Sequence, residues 1–238
     1  MFLLVLVLGL IALRATYIEH PHIEQIQTRF FLTSEIISLI LSTALLACFA
    51  LWLFVSLAAN RFRWRKTYLG GAVGLFIFAG MISVFAASNK RAAVTDVVLL
   101  AAPMVSAMLL VQLLITKQKI RIALLLVLAI GVAATAHCID QLTASNQALI
   151  QEYEQDPVAQ LQLLGIEPDS LEHWMYEHRL YSKGVRGFLM TGNSAASFFL
   201  LAAFAAAGLC IEAFRQRKHT ETLAAMVCYG LAFLFAAG

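Results

Sequence analysis

Long apolar stretches alternate with short charged segments along the whole chain. A helix needs about 20 apolar residues to cross the hydrocarbon core of a bilayer. The pattern therefore predicts about seven membrane-spanning helices, at roughly 1–13, 34–58, 68–87, 94–115, 120–138, 188–211 and 223–238. We expect an all-α fold, a polytopic bundle of transmembrane helices that forms a single domain over residues 1–238.

The longest segment between apolar stretches, residues 139–187, has a pattern of its own. Asp169 and, three residues later, Glu172 resemble a capping box at the start of a helix. Side chains then recur at the spacing of one helical face, namely Leu171, Trp174, Met175 and His178. This predicts a short amphipathic helix at about 169–181, which either lies on the membrane surface through its aromatic residues or covers the bundle.

Basic residues indicate the orientation in the membrane. Segments 61–66, 117–121 and 215–218 hold 10 of the 17 Lys and Arg residues. Because basic residues collect on the cytoplasmic side, these segments are predicted to be cytoplasmic, and the first residue with them. Residues 139–187 are then extracytoplasmic, and they carry eight acidic residues against three basic ones.

The amino-acid composition excludes several classes of protein and of binding site. The chain is 61% hydrophobic and 13% charged, whereas a soluble chain has about 45–50% apolar and about 25% charged residues. This excludes a sizeable soluble domain and makes membrane lipid a partner. The net charge of +3 is too small for nucleic-acid binding. The four cysteines lie in or beside apolar stretches without CxxC spacing, so we predict neither a disulfide framework nor a metal site.

The segment that leads into the sixth apolar stretch carries the candidate chemistry. Arg179 and Arg186 precede a helix start at Asn193 and Ser194. A helix N-terminus presents unpaired N–H groups and partial positive charge, and arginine binds phosphate oxygens in a bidentate way. This predicts an anion site, suited to phosphate, at the membrane surface. An ordinary capped helix flanked by interfacial arginines is the alternative.

These residues also carry a resemblance. Arg186-Gly187-Phe188, followed by Asn193-Ser194-Ala195-Ala196, resembles a motif of the O-antigen ligase / O-antigen polymerase family of bacterial membrane glycosyltransferases. The resemblance covers about a dozen residues, together with the many-helix topology. It implies transfer of a glycan from a polyprenyl pyrophosphate carrier to a sugar or lipid acceptor, without a metal or other cofactor. It also implies a multi-pass protein of the bacterial inner membrane that acts in lipopolysaccharide and cell-envelope biosynthesis.

Within this resemblance Arg186 matches the pyrophosphate-binding arginine, Asn193 belongs to the same motif, and Arg179 is a further candidate by proximity. The family's general base is expected in a later loop, beyond spans that this sequence does not contain. Because the last apolar stretch stops at Gly238 without a polar flank, we expect the N-terminal portion of a longer enzyme. A transporter-like bundle and a non-catalytic multi-pass membrane protein are the alternative functions.

Overall fold

The computed structural model describes residues 1–17, 34–60, 62–182, 185, 187–189 and 192–216. Over these ranges the chain forms α-helices and one π-helical turn and no strand, so the predicted all-α class is confirmed. The helices are α1 (Phe2–Thr16), α2 (Ser34–Ala58), α3 (Tyr68–Ala86), α4 (Lys90–Leu113), α5 (Lys117–Asp140), α6 (Asn146–Gln155), α7 (Pro157–Leu164), α8 (Leu171–Tyr181) and α9 (Gly192–Gln216).

Four helices in the described part of the chain are long and apolar enough to cross a membrane. They are Ile36–Ala58, Lys90–Leu113, Lys117–Gln155 and Gly192–Ala213, and the shorter apolar helices are Phe2–Thr16 and Gly70–Ala86. This is the make-up of a multi-pass helical membrane protein in contact with lipid. The predicted seventh span, 223–238, lies outside the described residues, so the number seven stays a prediction.

The described residues belong to two compact units, and the single domain stays a prediction. The first unit contains Met1–Arg14 and Glu35–Ile120. Its core joins α1, α2 and α4 through a cluster of buried side chains, namely Val7, Leu45, Cys48 and Leu109. Helix α3 packs against α4, where a Cβ on Gly80 would lie 3.3 Å from a methyl group of Val97.

The second unit, from Arg121 onward, is built on one continuous helix. Helix α5 passes through a π-helical turn, Gln141–Ser145, into α6. The combined helix, Lys117–Gln155, has 39 residues, and at ~1.5 Å per residue it is longer than the ~30 Å hydrocarbon core of a bilayer. Its polar C-terminal part therefore extends into water.

Small residues bring α5 and α9 together within the second unit. A Cβ on Gly131 would lie 2.7 Å from the Cβ of Ala202, so the two helices touch where neither has a large side chain. About one helical turn from this contact, Leu128 packs with Ala206 and Leu209. This is how apolar helices associate in lipid, where close packing takes the place of the hydrophobic effect.

Helices α6, α7 and α8 form a small polar-faced cluster whose core is Tyr153, Leu161 and Ile166. The sequence predicted α8 but neither α6 nor α7. Ser170 caps α8 by accepting the N–H of His173 at 3.1 Å, one residue later than the predicted cap Asp169. Asp169 instead adopts a φ of 60°, outside the extended conformation that an N-cap requires.

Candidate functional site

Gly187, the glycine of the Arg-Gly-Phe motif, is attached to the end of α5 through its backbone. The side-chain amide of Gln141 accepts the Gly187 N–H at 3.1 Å and donates to the Gly187 carbonyl oxygen at 3.3 Å. A neutral amide satisfies both polar groups of one peptide residue without introducing charge. Gln141 therefore holds Gly187 beside the last turn of a helix that is long and apolar enough to cross a membrane.

Two features of the backbone favour glycine at position 187. Its φ of 59° lies in the left-handed region, which costs other residues roughly 1–2 kcal/mol. A Cβ there would also lie 3.3 Å from the carbonyl oxygen of Ala134 and 3.3 Å from the sulfur of Cys138. The glycine of the motif thus allows the chain to approach the helix backbone directly.

The next residue adds an aromatic contact. The ring of Phe188 stacks on His137 with centroids 5.0 Å apart and planes 14° apart. His137 precedes Gln141 by one helical turn, so both side chains lie on the face of α5 that the motif covers. A half-buried imidazole therefore lies next to Gly187 and Phe188, a contact that no pattern in the sequence indicated.

The three predicted site residues have different outcomes. Arg186 lies outside the described residues. Asn193 is exposed and is the second residue of α9, so it lies in the first turn rather than at the cap. Arg179 is exposed in the last turn of α8, and its carbonyl oxygen accepts a hydrogen bond from Ser182 at 2.8 Å. Among the described contacts none joins Arg179 to Asn193.

A hydrogen-bonded network lies inside the α6–α8 cluster. The phenol of Tyr153 donates to Glu177 at 2.7 Å and lies 3.0 Å from Nε2 of His173. The other ring nitrogen, Nδ1, accepts the N–H of Asp169 at 3.1 Å, so Nε2 carries the proton that points at Tyr153. Both nitrogens of His173 are thus engaged, which gives this histidine a structural role.

Burial and charge together determine how these tyrosines ionise. Burial raises the pKa of Tyr153 well above its ordinary value, and its hydrogen bond to Glu177 raises that pKa further. Burial likewise raises the pKa of Tyr176, with a smaller contribution from the carboxylate of Glu152. Both phenols are therefore harder to ionise than an exposed tyrosine.

The outer face of α8 carries an open groove. The groove encloses about 350 Å³ and is lined by Trp174, Glu177, His178, Tyr181 and Ser182. The rings of Trp174 and His178 stack with centroids 5.5 Å apart and planes only 9° apart. Flat rings beside a carboxylate and a hydroxyl can contact both the apolar face and the hydroxyl groups of a sugar.

The predicted short helix is confirmed as α8. The side chains of its predicted amphipathic face are exposed rather than packed against the cluster. Leu171, Trp174 and Met175 are 72%, 64% and 41% exposed. The buried side of α8 is a different one, formed by Tyr176 and Leu180 against the core of the cluster. This buried side could not be predicted from the sequence, because tyrosines among charged residues do not form a recognisable hydrophobic stripe.

Comparison of the chain with known protein families, with curated proteins and with solved structures gives no match.

Proposed function

We propose that this protein transfers a glycan from a polyprenyl pyrophosphate carrier to a sugar or lipid acceptor, as O-antigen ligases and polymerases do. The observation that carries the proposal is the attachment of Gly187 to Gln141 at the end of α5. It supports a role for Arg186, because Gly187, the next residue along the chain, is held at the end of a helix long and apolar enough to cross a membrane. The pyrophosphate of a lipid carrier lies at that level.

The chemistry explains the need for a cation. The acceptor hydroxyl oxygen attacks the anomeric carbon of the glycan, and the bond from that carbon to the pyrophosphate oxygen breaks. The pyrophosphate leaves with the electron pair, and the hydroxyl proton passes to a general base that we do not assign. Since negative charge grows on the leaving group, a guanidinium held in place stabilises the transition state more than the ground state.

The groove on α8 fits the same proposal. Tyr153, on which α8 packs, is 15 residues beyond Cys138 along the continuous helix, or ~22 Å at the helical rise. The groove thus lies beside the polar end of this helix rather than its apolar stretch, which favours a sugar chain over the carrier lipid as its ligand. Arg179 and Asn193 would then contact substrate, and the reaction would take place at the extracytoplasmic face of a bacterial inner membrane.

The test is Arg186→Ala in the intact gene, with glycan transfer followed in cells and membrane insertion checked by immunoblotting of membranes. We expect transfer to fall by about 100-fold or more, the usual cost of removing one group that stabilises developing charge. The control is Arg91→Ala, which removes an exposed cation near the start of α4. Normal transfer by an inserted Arg186→Ala protein would refute the proposed function.

A further inference from the structure

The segment between α2 and α3 is held against the last turn of α4. The buried side-chain amide of Gln112, in the last turn of α4, accepts the N–H of Arg65 at 2.9 Å and donates to the Arg65 carbonyl oxygen at 3.2 Å. Only a short connection separates two apolar helices here. The segment therefore lies at the depth of lipid headgroups, whichever side of the membrane it faces.

Aromatic rings form the inner side of this segment. Trp64 lies 5.9 Å from Trp52 between ring centroids and meets Phe49 edge-on at 6.4 Å. Phe62 stacks on Trp64 at 6.3 Å. Since tryptophan is favoured where hydrocarbon meets headgroups, this cluster fixes the depth of the segment.

Cations form the outer side. Residues 62–67 lie between α2 and α3, outside either helix. Trp64 is half-buried, whereas Arg63 and Arg65 on either side of it are exposed, as is Lys66. We refer to Arg63, Arg65 and Lys66 as the basic ridge.

In the part of the first unit that the structure describes, no carboxylate lies near the basic ridge. Between residues 36 and 139 the sequence contains a single acidic residue, Asp96. Asp96 and Gln112 are 16 residues apart on α4, which separates them by ~24 Å along the helix axis. Within the described part of the first unit, the ridge thus presents three positive charges with no carboxylate beside them, which favours an anion as its partner.

We propose that the basic ridge binds the headgroups of anionic phospholipids. The partner follows from charge and depth together, because phosphodiester headgroups are the abundant anions at the level that the tryptophans define. Each cation near an anionic leaflet contributes enough for roughly fivefold tighter association. This binding is independent of the proposed glycan transfer and does not require the groove or Arg186.

The test uses the tryptophans beside the ridge as reporters. The chain with Trp174→Phe retains Trp52 and Trp64 and is reconstituted in phosphatidylcholine nanodiscs containing either brominated phosphatidylglycerol or brominated phosphatidylcholine. Bromine quenches tryptophan on contact, so the ratio of quenching measures lipid preference. We expect brominated phosphatidylglycerol to be preferred about fivefold or more, and 1 M salt to remove most of this preference.

Two triple variants make the test specific. Arg63→Gln, Arg65→Gln and Lys66→Gln together should bring the ratio close to one. Lys117→Gln, Lys119→Gln and Arg121→Gln remove the same charge from another segment and should leave the preference in place. Equal quenching by both lipids in the parent chain, a preference that survives 1 M salt, or equal losses in the two triple variants would overturn the proposal. The salt result decides it even if the ridge variant does not fold.

Discussion

Two glutamines perform the same task in different units of this protein. Gln112 binds both backbone groups of Arg65, and Gln141 binds both backbone groups of Gly187. Each side chain is neutral and long enough to reach a neighbouring segment from a helix end. An aspartate or lysine at such positions would satisfy only one of the two groups and would add the cost of a partly buried charge.

Gly187→Ala should release the segment Gly187-Phe188 from α5. The methyl group is strained at positive φ and approaches Ala134 and Cys138, so we expect a loss of about 1–2 kcal/mol in docking. In a chain whose only cysteine is Cys138, labelling by a water-soluble maleimide should accelerate about tenfold. Gly192→Ala is the matched control, because a Cβ there meets nothing within 4 Å. Equal labelling rates in both variants would contradict the docking.

Alkaline titration should reveal the buried phenols of the α6–α8 cluster. The raised pKa of Tyr153 exceeds the ordinary value of 10.0, so the neutral phenol stabilises the cluster below pH 10.0 and this stabilisation is lost as the pH rises through the raised pKa. Tyrosinate absorbance should show a late component, accompanied by loss of helical circular dichroism. The late component should shrink in Tyr153→Phe. Titration of all tyrosines near the ordinary value would show that Tyr153 is not buried.

The apolar helices and α8 were predictable from the sequence, whereas α6 and α7 were not. The stretch 34–58 predicted α2 to the residue, because lipid requires length and apolar character and both are visible in one chain. Helices α6 and α7 depend on contacts distant in sequence, such as Tyr153 with Glu177. Local signals at α7 were present in Asp156 and Pro157 at its start and Gly165 at its end, but they predict a helix only once its buried side is known.

The candidate site was likewise only partly predictable from the sequence. The motif at 186–188 was recognisable from its residue types alone, and its glycine is favoured by the backbone conformation at position 187. Its partners Gln141 and His137 lie more than 40 residues earlier, in a segment where glutamine and histidine are ordinary interfacial residues. No spacing rule connects positions so far apart, so the contact had to come from the fold.

Packing between α5 and α9 can be tested by adding single methyl groups. In Gly131→Ala the new Cβ would lie 2.7 Å from that of Ala202, so the helices must separate, and we expect a loss of about 1–3 kcal/mol. Gly208→Ala on α9 is the control, since its Cβ would meet nothing within 4 Å. Thermal unfolding in detergent should show a lower midpoint for Gly131→Ala alone. A midpoint at or above that of Gly208→Ala would contradict the close approach.

The orientation of the whole chain is the premise on which the extracytoplasmic site depends. In a background without native cysteines, Ser145→Cys lies on the polar extension of α5 and Arg63→Cys on the basic ridge. We expect an impermeant maleimide added to intact cells to label Ser145→Cys only, and Arg63→Cys to react after the cells are opened. Labelling of both from the same side would show that the orientation is wrong.

Binding of the carrier is the most direct test of the proposed role of Arg186. This measurement requires neither the acceptor nor the general base. The purified chain in nanodiscs is titrated with undecaprenyl pyrophosphate, and Arg186→Ala is compared with Arg91→Ala. We predict that Arg186→Ala weakens binding about tenfold or more, the loss expected for charge-assisted hydrogen bonds to phosphate, while Arg91→Ala binds like the parent chain. Equal affinity of the parent chain and Arg186→Ala would contradict the account.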